Sequence, residues 1–214
     1  MKQKTADTID GTSVVAGSRP YPWPWDAVIL PASWALVVVQ APDSAALPPG
    51  PFEAIGALAD ALGRAGGHTI QVITHTPFHR RRLSPESRSR ELPELVLGGA
   101  VRTEVVHAPG WNGFFDSTLD VALRRRGITH LLLTGYWLEV GVHSTMRSGN
   151  DMGYECLLVE DAVAEWEPDL TAASLSSIEM SGGIFGAIAT SAAILAAIDA
   201  AQPHPSSERK ETLP

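Results

Sequence analysis

Residues 127–161 read GITHLLLTGYWLEVGVHSTMRSGNDMGYECLLVED, and this stretch decides the fold. HLLLTG (130–135) and ECLLVE (155–160) are short apolar runs, the pattern of strands buried on both faces. Between them Val140–Met152 has the spacing of a helix. Strand, helix and strand with short links imply a parallel sheet covered by helices.

The same alternation continues outward in both directions. ALVVV (35–39), TIQVIT (69–74), TEVV (103–106) and GIFGAIA (183–189) are the other predicted strands. Helical patterns fill Phe52–Arg64, Ser117–Arg126, Leu170–Met180 and Ser191–Ala200, with stop signals at Ala65-Gly66-Gly67 and Arg126-Gly127. Ligands of such sheets lie at the carboxyl ends of the strands. Gln40, His75, His107 and the Tyr136–Val142 turn are therefore expected around one crevice.

Composition narrows the class further. The chain has 214 residues, 44% hydrophobic and 19% charged, enough for the core of one domain. Its 16 Lys+Arg against 24 Asp+Glu leave a net charge of −8, which disfavours nucleic acid or anionic membranes as partners. The single cysteine, Cys156, excludes an intrachain disulfide and a cysteine-based zinc site. The apolar runs are too short for a membrane span, and the polar N-terminus lacks a signal-peptide core. A cytoplasmic protein is the expectation.

Residues 1–18 and 202–214 read as polar, mobile segments flanking one domain over 19–201. Residues 19–31, RPYPWPWDAVILP, form an arm in which Pro20, Pro22 and Pro24 forbid a helix. Tyr21, Trp23 and Trp25 need an apolar bed, and an arm crossing onto a neighbouring subunit is the expectation, with its own domain as the alternative.

Motifs for metal or phosphate are weak. His75 and His79 are four apart, but Pro77 interrupts the helix that would align them. QAPDSAALPPG (40–50) after the first strand offers no phosphate cradle, and no G-x-S-x-G elbow occurs. The arginine runs at 80–82 and 124–126 read as a solvated loop and a helix C-terminus. No metal and no cofactor are expected.

The second half carries a resemblance. FDSTLDVALRRRGI (115–128), VHSTMR (142–147), GYECLLVEDAVA (153–164) and SGGIFG (181–186) resemble the isochorismatase-like cysteine hydrolases, especially the biuret and ureidoacrylate amidohydrolase branch. PYPWPWD (20–26) before ALVVV fits the same branch, so the likeness runs from about Pro20 to Ile198. It implies a three-layer αβα sandwich with a six-stranded, mostly parallel sheet, usually oligomeric and without an obligatory metal.

The catalytic triad of that family does not carry over. The resemblance puts the cysteine nucleophile at Gly141, the aspartate base at Gln40 and the lysine at Ala108. Aspartate, lysine and thiolate form a coupled charge set, so losing all three leaves a stable neutral site. Space is expected where lysine and cysteine side chains are missing. Cys156 lies in a buried strand and reads as a small hydrophobe. Tyr136–Trp137 replaces the small pair whose cis peptide often shapes the family's oxyanion hole.

The expected pocket is lined by Gln40, Trp111, Asn112, Phe114, Tyr136, Trp137 and Gly141, with His75 and His143 nearby. His107 and Glu139 are its candidate proton shuttles. Both Glu139 and His143 also have a purely structural reading. The leading functional expectation is a repurposed enzyme that holds a neutral small molecule and carries out a biosynthetic cyclisation, isomerisation or elimination. A pseudoenzyme serving as metabolite binder or regulatory subunit of an active paralogue is the alternative. Vinyl-ether hydrolysis by another acid, Asp43 or Glu139, is the third. A homo-oligomer, dimer or tetramer, is expected.

Overall fold

The computed structural model describes residues 14–40, 50–75 and 103–202. Six strands form one sheet: β1 (Trp34–Gln40), β2 (His68–Thr74), β3 (Thr103–Ala108), β4 (His130–Tyr136), β5 (Glu155–Ala164) and β6 (Ala187–Ala189). Their order is β3-β2-β1-β4-β5-β6, and every pairing is parallel. The helices are α1 (Gly50–Arg64), α2 (Leu119–Arg124), α3 (His143–Asp151), α4 (Thr171–Gly183) and α5 (Ser191–Ala200).

Side-chain alternation along the strands sorts the core into two faces. Leu36 and Val38 of β1 pack with Ile55, Leu58 and Leu62 of α1 and Ile194 and Ile198 of α5. Val37 and Val39 pack with Leu119 and Leu123 of α2, Met146 of α3 and Ile178 of α4. Helices on both sides of a parallel sheet give the three-layer sandwich. The chain departs from β1 toward β2 and β3, then from β4 toward β5 and β6. The reversal lies between β1 and β4, where such sheets open a crevice.

Two elements differ from their sequence reading. GIFGAIA yields a strand only over Ala187–Ala189, because Gly182, Gly183 and Gly186 adopt positive φ and turn the chain before it. The segment after β4 is a π turn, Leu138–Val142, before α3 begins.

The arm beds on its own chain. Trp23 is fully buried, edge-on to Trp34 at 5.0 Å and to His130 at 5.4 Å. Arg19 exchanges backbone hydrogen bonds with Ile188 of β6 (3.0 and 2.8 Å), and its guanidinium clamps Glu160 and Glu179. Tyr21 Oη donates to Glu155 at 3.0 Å. Trp25 stays on the surface. The expected bed on a neighbouring subunit is thus corrected for Trp23, which packs on its own chain at the amino ends of the central strands β1 and β4.

Burial beside Trp23 and Trp34 holds the His130 imidazole below its usual 6.5, although Asp26 pulls the other way. Burial lowers His68 and His143 too, helped by Arg126 and Arg147 respectively. Each of these histidines takes up a proton more readily unfolded than folded. Their contribution to stability is therefore complete above about pH 6.5 and is lost as pH falls from there toward the folded values. Thermal melts should show Tm falling from pH 7.5 to 5, with a flatter profile in His130→Phe. Equal slopes for the two proteins would exclude His130 as a contributor.

Candidate functional site

β1 and β4 end side by side, which places Gln40 and the Tyr136–Trp137 pair at the crevice. Gln40 is buried, and its side-chain oxygen accepts a hydrogen bond from Nε2 of the buried Gln71 on β2. Gln71 lies beside Val38 in register, two residues before Gln40 and on the same face. Thr74 Oγ1 donates to the Gln40 carbonyl at 3.0 Å. This neutral amide pair holds no charge at the end of β1.

Gly141 lies buried in the π turn, whose Val140 and Val142 N–H groups both donate to the Trp137 carbonyl (3.2 and 3.1 Å). Thr145 Oγ1 donates to the Gly141 carbonyl (2.7 Å) and accepts from Gly113 N–H (2.8 Å), joining the turn to the loop after β3. A Cβ at Gly141 would stand 3.0 Å from the Tyr136 carbonyl oxygen and 3.1 Å from Val39 Cγ1. A side chain at this position would need those neighbours to give by a few tenths of an ångström. The Tyr136–Trp137 peptide bond is cis despite the two bulky side chains.

The candidate residues fall into separate groups. Ala108 is buried at the end of β3, and its carbonyl accepts from His75 N–H at 2.9 Å. The His75 and His107 rings stack at 5.8 Å. His107 is exposed and lines an open cleft of about 530 Å³ with Phe114, Asp116, Ser117 and Thr118. Phe114 itself is 7% exposed and stacks on Tyr154 in the core at 5.8 Å.

Asn112 fastens the loop: its amide donates to Ser148 Oγ (2.7 Å) and its oxygen accepts from Phe114 N–H (2.9 Å). Both Glu139 oxygens accept from Trp166 N–H (3.1 and 3.0 Å), and one also accepts from Glu167 N–H (3.0 Å). The carboxylate thereby ties the loop after β5 to the turn after β4. His143 faces Ser177 and Arg147. Tyr136 is fully buried against Phe52 of α1, its hydroxyl has no hydrogen-bond partner among the described residues, and burial pushes that phenol up to about 12.

Trp166 was not among the sequence candidates, yet it joins two that were. Its ring contacts Trp137 at 5.2 Å and Trp111 at 6.2 Å. An indole directly after the strand ECLLVEDAVA, at the same carboxyl edge, is the signal that marks it. Gln71 had a signal as well: a lone amide inside a strand buried on both faces. Cys156 lies at the opposite, amino end of β5, fully buried, with burial raising its thiol well above the ordinary range. Asp43 and His79 lie outside the described residues. Among the described residues, no group of three His, Cys, Asp or Glu side chains is disposed to hold a metal.

A parallel six-stranded sheet with its candidate site at the β1–β4 reversal defines a doubly wound α/β protein. The isochorismatase domain family matches residues 39–193, and the chain belongs to that family. A ureidoacrylate amidohydrolase RutB of Caulobacter vibrioides is 41% identical over 88 residues, 41% of this chain and 38% of that protein. One from Variovorax paradoxus is 46% identical over 61 residues, 28% and 24% of the two chains. The matched segments span well under half the length of these relatives. A cysteine hydrolase of Pseudomonas syringae superposes with a TM-score of 0.69 at 21% identity, covering 81% of this chain and 96% of that one. An isochorismatase family protein of Burkholderia thailandensis gives 0.63 at 29%, covering 78% and 96%. Among the described residues, no helix is long and apolar enough to cross a membrane.

Proposed function

We propose that this chain uses the isochorismatase fold to hold a small molecule with a neutral reacting group and to act on it without a thioester intermediate. The observation that carries the reading is the position of its single cysteine. Cys156 is sealed at the amino end of the sheet, while the crevice lies at the carboxyl end. A buried thiol held protonated is neither a nucleophile nor accessible to substrate. In this reading Gln40, Ala108 and Gly141 stand where hydrolytic relatives carry aspartate, lysine and cysteine. The Gln40–Gln71 pair then replaces a charged base by neutral hydrogen-bonding groups suited to a carbonyl or hydroxyl.

Rearrangements such as cyclisation, isomerisation or elimination need orientation and one proton shuttle, a role for which His107 is exposed at the end of β3. Glu139 serves this site as a loop tether. A second reading, a non-catalytic metabolite-binding subunit, draws support from the same tether, because it removes a nearby carboxylate from acid–base work. Trp25, Val28 and Leu30, all exposed on the arm, support a homo-oligomer as part of the proposal.

Ammonia release tests it. Wild-type protein should release no ammonia from ureidoacrylate or biuret, and turnover at about 1 s⁻¹ or more would overturn the proposal. The triple variant Gln40→Asp, Ala108→Lys, Gly141→Cys should remain far slower than hydrolytic relatives, since the new Cβ at 141 is crowded by Tyr136 and Val39. Robust hydrolysis by that variant would show that the crowding does not limit it.

A further inference from the structure

We infer that the carboxyl edge of β4 and β5 carries a seat for an organic cation, a quaternary or alkylated ammonium group, on the indoles of Trp166, Trp137 and Trp111. The inference rests on the proposed non-covalent site and adds the charge class of its ligand. Trp166 is half exposed on the loop after β5, inclined 54° to Trp137 and 77° to Trp111. Rings set at such angles present faces and edges in several directions, unlike a flat stack. An indole face is the best aromatic surface for a cation, and alkylated ammonium groups are the ligands that aromatic clusters of this kind recognise.

Charge points the same way. Trp166 stands in the exposed run Glu165-Trp166-Glu167-Pro168-Asp169, and the Glu139 carboxylate accepts from the backbone N–H groups of Trp166 and Glu167. Carboxylates around an indole favour a cation and repel an anion. The trio also lies beside the crevice, because the Trp111 carbonyl is 3.7 Å from the Cβ position of Gly141. A ligand with its ammonium head on the tryptophans can extend its neutral part toward the end of β1. Glu139 acts here as a positioning residue, holding Trp166 against Trp137.

Choline and its uncharged isostere 3,3-dimethyl-1-butanol provide the test, since they share shape and differ in charge. Calorimetric titration of the full-length protein should show choline binding at least about tenfold tighter than the alcohol. Trp166→Ala should lose at least about tenfold in choline affinity, while Trp166→Phe, which keeps a ring, should lose less, with thermal melts of both variants close to wild type. Equal binding of the two probes, no binding of choline, or an unchanged Trp166→Ala would each overturn the cation seat. None of these outcomes bears on ammonia release, so the two proposals fail separately.

Discussion

Gly135→Ala should leave almost no folded protein. Gly135 sits in β4 at φ +103, and a Cβ there would come within 2.0 Å of the Val39 carbonyl oxygen. That oxygen belongs to the backbone of the neighbouring strand, so no rotamer change relieves the clash. β1 and β4, paired without a break up to Val39 and Gly135, would have to separate between the two central strands of the sheet. Losses above about 4 kcal/mol belong to such backbone conflicts in a core, and a domain of ordinary stability does not survive them. Gly127→Ala is the control: its φ is +66, but a Cβ there meets nothing within 4 Å. It should cost only about 1–2 kcal/mol for the left-handed conformation. Soluble yield and urea melts compare the two; a Gly135→Ala protein as stable as Gly127→Ala would mean that the strands are not this close.

Trp23→Ala should destabilise the protein by about 3–5 kcal/mol, the range for deleting a large buried aromatic. The cavity would open between Trp34, His130 and the strand ends, where the arm closes the sheet. Trp23→Phe should cost much less, because among the described residues the Trp23 indole N–H has no hydrogen-bond partner to lose. Urea unfolding of both variants checks the order. A small effect of Trp23→Ala would mean that the arm contributes little to folding.

The sheet was legible because its strands are buried on both faces, which writes them as unbroken apolar runs such as LVVV (36–39) and HLLL (130–133). The ends of the elements were less so. GIFGAIA looks like one strand, but its glycines take positive φ that no apolar pattern encodes. At the site, the sequence named the turn around Gly141 and its aromatic neighbours. It did not reveal that Gln40 meets Gln71, because that contact depends on which residues the β1–β2 register sets on one face. Nor did it reveal Trp166, whose place depends on two backbone N–H groups reaching Glu139 across the sheet edge. Tertiary hydrogen bonds between distant loops have no local signature.

The proposal of a site without a covalent nucleophile implies a protein that never carries an acyl group on sulfur. Intact-protein mass spectrometry during incubation with ureidoacrylate reads this directly. The mass should stay that of the unmodified chain at every time point, as expected if Cys156 is sealed within β5. A transient adduct mapped to Cys156 would contradict it.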